Sequence, residues 1–103
     1  MAIANTVLTN STAASIYTSS GTSAITTIHL CNTTGASVTA NVYIVPSGST
    51  AGASNAIYTN LSITAQNTYI VYAEKFILAN GDSIKANCSA SSSVTATVSS
   101  IGI

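Results

Sequence analysis

The 103-residue sequence predicts an all-β domain, a compact antiparallel β-sandwich, immunoglobulin-like or jelly-roll-like, with about seven to nine short strands. Three observations predict it. Apolar residues recur at every second position in several segments, the period of a half-buried strand. Gly, Pro, Asn and Asp punctuate those segments roughly every ten residues. No segment sustains a 3.6-residue period.

Along the chain, TVL near residue 7 and SIYTS at 15–19 are short candidates, the second running into Ser20-Gly21. AITTIHLC, residues 24–31, sets Ile28 and Leu30 on one side and runs into Thr34-Gly35. In SVTANVYIVP, Val38, Ala40, Val42 and Ile44 share one face and Thr39, Asn41 and Tyr43 the other, until the turn at 46–48. A small, polar loop over 46–55 precedes NAIYT (55–59), LSIT (61–64) and TYIVYA (68–73). AEKFILAN fits either one helical turn or a strand leading into Asn80-Gly81-Asp82. DSIKANCSA aligns Ile84, Ala86 and Cys88, and SVTATVSS aligns Val94, Ala96 and Val98. The next inward position falls on Ser100, with apolar residues resuming at Ile101 and Ile103. Either a bulge resets the register there or the last residues face a different partner, and apolar side chains at these positions call for cover. The expected organisation is a single domain over 15–103, with 1–14 as an N-terminal arm or first strand.

Composition limits what this domain can do. It is 47% hydrophobic but only 6% aromatic, without Trp, so its core must be built from Ile, Val, Leu and Ala. Glu74, Lys75, Asp82 and Lys85 are its only charged side chains, 4% against about a quarter in ordinary domains, and they sum to zero. No basic surface exists to neutralise phosphates or hold anionic lipid, which argues against nucleic-acid and membrane partners. The apolar run YIVYA is far shorter than the ~20 residues that cross a bilayer. MAIANTVLTN has neither a basic leader nor a long apolar stretch, so synthesis and folding in a cytosol are expected.

Little remains for chemistry. His29 is the single histidine, and only Glu74 and Asp82 could orient it as a base. Those two carboxyls would make an acid pair for glycoside hydrolysis, but Lys75 and Lys85 beside them point to surface ion pairs near a turn. Cys31 and Cys88 fit either free thiols or a disulfide between facing strands, and with one histidine they make no zinc spacing. No catalytic, metal or cofactor site is expected, and the chain reads as no enzyme. Tyr58 and Tyr72 are candidates for an interface, since tyrosines on a neutral sheet anchor partners or stack on sugars. Two lysines cannot guard all the sheet edges, so other subunits are expected to cover them.

HLCNTTGASVTANVYIVPSG, with LSITAQNTYIV, ILANGDSIKANCSA and SSVTATVSSIGI, resembles the small all-β virion proteins of tailed bacteriophages, including those of cyanobacteria. The resemblance runs from about Ser15 onward. It implies a capsid decoration (cement) protein on the virion surface, a homotrimer bound to the major capsid protein. The alternative it implies is a tail or fibre module that binds host glycans. On the first reading Ile3, Val7 and Leu8 anchor an N-terminal arm on a neighbour, with Tyr58, Tyr72, Ile101 and Ile103 as further contacts.

Overall fold

A computed structural model describes residues 2–10, 13–71, 76–90 and 92–102. Tyr72, Glu74, Lys75 and Ile103 lie outside the described residues. Among those described there are nine strands and no helix: β1 (Ala2–Val7), β2 (Ala14–Thr18), β3 (Ser23–Asn32), β4 (Val38–Val45), β5 (Ala56–Ile63), β6 (Thr68–Val71), β7 (Phe76–Leu78), β8 (Ser83–Cys88) and β9 (Val94–Gly102).

They form the two antiparallel sheets of a β-sandwich. One has the order β1-β9-β3-β6, with β7 also pairing β3; the other has the order β2-β8-β4-β5. The pairs β4–β5, β3 with β6 and β7, β2–β8 and β1–β9 are nested, like the rungs of one long hairpin. Rolling that hairpin until β9 also pairs with β3, and β8 with β4, closes both sheets. This is a jelly-roll arrangement, with β6 and β7 sharing the place of one strand.

The core lies between the sheets and follows the two-residue alternation. Ile25, Ile28 and Leu30 of β3 and Val94, Ala96 and Val98 of β9 pack against Val38, Ala40 and Val42 of β4 and Ile84, Ala86 and Cys88 of β8. All are buried. Small alanines on both sides let thin sheets approach, and branched neighbours fill the space left. Ile44 lies inward as expected, opposite Ile84 and packed against the core, though half-buried at its rim; Val45 is buried as well. The β4–β5 register shifts between Val42 and Tyr43, while the β4–β8 register runs unbroken to Val45.

Three ambiguous stretches resolve. NAIYT and LSIT are one strand, β5, bent where Asn60 takes φ 54° and its N–H reaches Asn41 Oδ1 at 2.9 Å. FIL of AEKFILAN is the strand β7. At the end of β9 the alternation continues, because Ser100 is buried. The bulge lies in β3, between Ile25 and Thr27, and the Thr26 hydroxyl donates to the Ser99 carbonyl at 3.1 Å. Ile101 therefore points away from the core and is exposed.

Asp82 bonds backbone N–H groups, and the expected ion pairing involves Glu74 and Lys75, which lie outside the described residues. Asp82 Oδ1 accepts the Ser47 N–H at 2.8 Å and its Oδ2 the Ala79 N–H at 2.9 Å, so the carboxylate ties two turns together. Beside it Gly81 has φ +89°, and a Cβ there would lie 2.7 Å from Ser47 Oγ, so only glycine fits the approach. Cys88 faces the core from one sheet, whereas Cys31 alternates with the inward Leu30 and Asn32 on the other. Both are free thiols.

Among the described residues, Asn32 is a buried polar side chain with five hydrogen bonds. From the end of β3 its Nδ2 donates to the carbonyls of Ala36 (2.8 Å), Ile63 (3.1 Å) and Thr64 (3.2 Å). Its Oδ1 accepts the N–H and hydroxyl of Thr34. One side chain thus joins the β3–β4 turn to the end of β5. Asn32→Asp keeps the shape but removes the donors and buries a charge, so we expect a loss of about 2–4 kcal/mol. Urea unfolding checks this; a midpoint equal to that of the parent chain contradicts it.

Candidate docking surface

The same alternation that fills the core decides what the β1–β9–β3 sheet shows to water. Ala4 and Thr6 of β1 lie opposite the inward Val98 and Ala96, so Ile3, Asn5 and Val7 must face outward. They meet Ser99, Thr97 and Thr95 of β9. Across β9, Thr97 is followed by His29 of β3 and then by Ile70 of β6; near one end Ile101, Ala24 and Ile77 form a similar row. The result is a hydroxyl ladder along β9 flanked by apolar side chains. Ile3 is 69% exposed, Ile77 58%, Val7 53% and Ile101 38%. Thr97 Oγ1 donates to Asn5 Oδ1 at 2.8 Å across the ladder.

Among the described residues this face carries no Asp, Glu, Lys or Arg. Four exposed aliphatic side chains on one uncharged sheet face lose little on desolvation and gain by contact with an apolar surface. The outer face of the other sheet differs. It carries Lys85 opposite Tyr43, and an amide relay in which Asn41 Nδ2 donates to Asn87 Oδ1 at 2.8 Å.

The residues expected at an interface separate into groups. Ile3, Val7 and Ile101 stand together on the uncharged face. Leu8 is buried at 1% exposure, where the chain crosses between sheets: its N–H donates to the Val94 carbonyl, and the next residue, Thr9, accepts from Cys88 N–H. Tyr58 points to the inner side of its sheet opposite Val42, its ring 5.7 Å from that of Tyr69 and nearly edge-on at 71°. That pair fills the gap between edge strands β5 and β6. Tyr72 and Ile103 lie outside the described residues. Ile77 was missed because AEKFILAN left helix and strand open; Phe76 and Leu78 on its two sides, packed toward the core, are the signal that sets it outward.

His29 stands in mid-strand between Thr97 and Ile70, and Asp82 is engaged with backbone N–H groups as described. Among the described residues no three His, Cys, Asp or Glu side chains gather to hold a metal ion. A cavity of about 410 Å³ beside the 46–55 loop is lined by Pro46, Gly48, Ser49, Thr50, Ser54 and Asn55, which offer hydroxyls and an amide but no titratable group. No known family matches this chain, and no curated protein or solved structure is similar to it at a significant level.

Two tyrosines have shifted acidities with opposite causes. The hydroxyls of Ser100, Ser23 and Ser19 hold the Tyr17 phenol below the ordinary 10.0, while its own O–H donates to Ser23 Oγ at 3.0 Å. The hydrogen bond with Tyr69, together with burial, holds Tyr58 above 10.0. The stabilisation from Tyr17 is therefore present above pH 10.0 and lost as pH falls through its lowered folded value. That from Tyr58 is present below pH 10.0 and lost as pH rises through its raised one. Titration followed by ring-carbon NMR should show Tyr17 ionising before Tyr58; the reverse order contradicts the assignment.

Proposed function

We propose that this chain is a non-catalytic structural subunit of a virion, a capsid decoration protein that docks on the major capsid shell through the outer face of its β1–β9–β3 sheet. The observation that carries the proposal is the exposure of Ile3, Val7, Ile77 and Ile101 on a face without an ionised side chain among the described residues. Such a face binds by shape and apolar burial, is insensitive to salt, and suits permanent attachment better than transient exchange. Two further points support the reading. The jelly roll is an architecture of viral capsid domains, an analogy of fold alone. The resemblance of the sequence to small phage virion proteins points to the same setting. Glycan capture by a tail or fibre module finds less support, since Tyr17, Tyr58 and Tyr69 all pack against the core and Tyr43 stands beside Lys85.

Counting copies in purified particles of the phage that carries the gene tests the role. A decoration protein is expected in numbers comparable to the major capsid protein by quantitative mass spectrometry. A handful of copies per particle places it in the tail, and absence from particles overturns the proposal. Ile77→Asp puts a charge on the docking face at an exposed position, so the fold should persist while capsid occupancy at limiting protein falls by roughly tenfold or more. Unchanged occupancy would remove this face from consideration.

A further inference from the structure

The four sheet edges are not alike. Along β2 the pairing shifts between Ser15 and Tyr17. Along β5 it shifts on both sides of Val42, and Asn60 adopts a left-handed backbone. The edge beyond β3 is divided between two short strands, β6 and β7. Each of these irregularities blunts an edge against further pairing. β1 is different: its six residues pair with β9 in unbroken register, and AIANTV contains no charge, no proline and no bulge. It is the one regular, unguarded edge among the described residues.

The phase of its ladder determines what can add to it. Leu8 N–H bonds the Val94 carbonyl, in continuation of the register that sets Val7 opposite Thr95. In an antiparallel ladder the bonded pairs alternate, so Ala4 and Thr6 direct their backbone groups toward β9. Ile3, Asn5 and Val7 direct theirs to the open edge. A partner strand must therefore bond to these three residues.

We propose that the partner is β1 of a second copy of this chain, antiparallel about a two-fold axis through Asn5. Of the registers that phase allows, only the one with Asn5 opposite Asn5 of the second copy pairs all three residues. It sets Ile3 opposite Val7 of the second copy, and Val7 opposite its Ile3. Apolar side chains then meet apolar ones on the outer face, amide meets amide at the axis, and Ala4 meets Thr6 on the inner side. Three bonded pairs exchange about six backbone hydrogen bonds. The contact is isologous, so it closes at two copies and extends no further. It joins two sheets into one continuous face and brings Ile3 and Val7 of both copies together at its centre. This predicts a pair, where the phage resemblance implies a trimer, and it stands or falls independently of any capsid.

The test is the mass of the purified chain by light scattering at tens of micromolar. Twice the 10.3 kDa of one chain is expected; a monomer or a trimer overturns the proposal. Asn5→Lys and Asn5→Asp each set like charges face to face at the axis, so each variant alone should be monomeric, whereas an equimolar mixture should re-form the pair. Dimers in either single variant, or none in the mixture, overturn the register. A measurement without substitutions reads the same contact: the amide protons of Ile3, Asn5 and Val7 should be protected from exchange at high concentration and lose that protection on dilution, while Ala4 and Thr6 stay protected throughout. Free exchange of the first three at every concentration also overturns it.

Discussion

A strand held between two partners cannot slide without cost to both. β9 meets β1 with Ala2 opposite Ser100 and β3 with Leu30 opposite Ala96, and side chains alternate along it. A slip of one residue would carry Val94, Ala96 and Val98 out to water and Thr95 and Thr97 into the core. The extra residue between Ile25 and Thr27 of β3 is taken up by a bulge, so that the alternation runs undisturbed to Ser100. The composition of the core, the exposure of Ile101 and the uniform outer face all descend from this register. It pairs residues nearly a whole chain apart, and contacts of such long range slow folding.

Charge contributes little to holding the molecule together. Where other domains use ion pairs, this one uses neutral amides and hydroxyls: Asn32 joins the turns after β3 and β5, and Asn41 and Asn87 link β4 to β8. Asp82, one of the few ionised groups, accepts backbone N–H groups between two turns. Neutral bonds of this kind respond weakly to ionic strength. The same economy of charge leaves the β1–β9–β3 face without an ionised group among the described residues, so core chemistry and surface chemistry have one origin in composition.

Much of this was legible in the sequence because period-two alternation is a direct image of a two-faced strand. Ile28 with Leu30, Ile84 with Ala86 and Cys88, and Val94 with Ala96 and Val98 each share one side in the alternation, and all are buried. Ile44 keeps the face of Val38, Ala40 and Val42, opposite Ile84, but at the rim of the core it is only half-buried, which the alternation does not show. Asn32 was not anticipated as a structural centre, since its partners Ala36, Ile63 and Thr64 are backbone carbonyls that any residue supplies. Of the residues expected at an interface, Ile3, Val7 and Ile101 show their apolar character in the sequence, and only the strand order brings them onto one face. Leu8 looks identical to Val7 in sequence but falls where the chain crosses between sheets, and it is buried.

The functional account rests on the orientation of one sheet. A docked subunit must turn the side bearing Ile3, Val7 and Ile77 toward its support and leave the side bearing Tyr43 and Lys85 in solvent, because only the first gains by losing water. A reconstruction of the intact particle by electron cryomicroscopy reads that orientation directly. The account predicts density for the β1–β9–β3 sheet against the shell; the opposite sheet lying against the shell, with Ile3 and Ile77 facing outward, would contradict it.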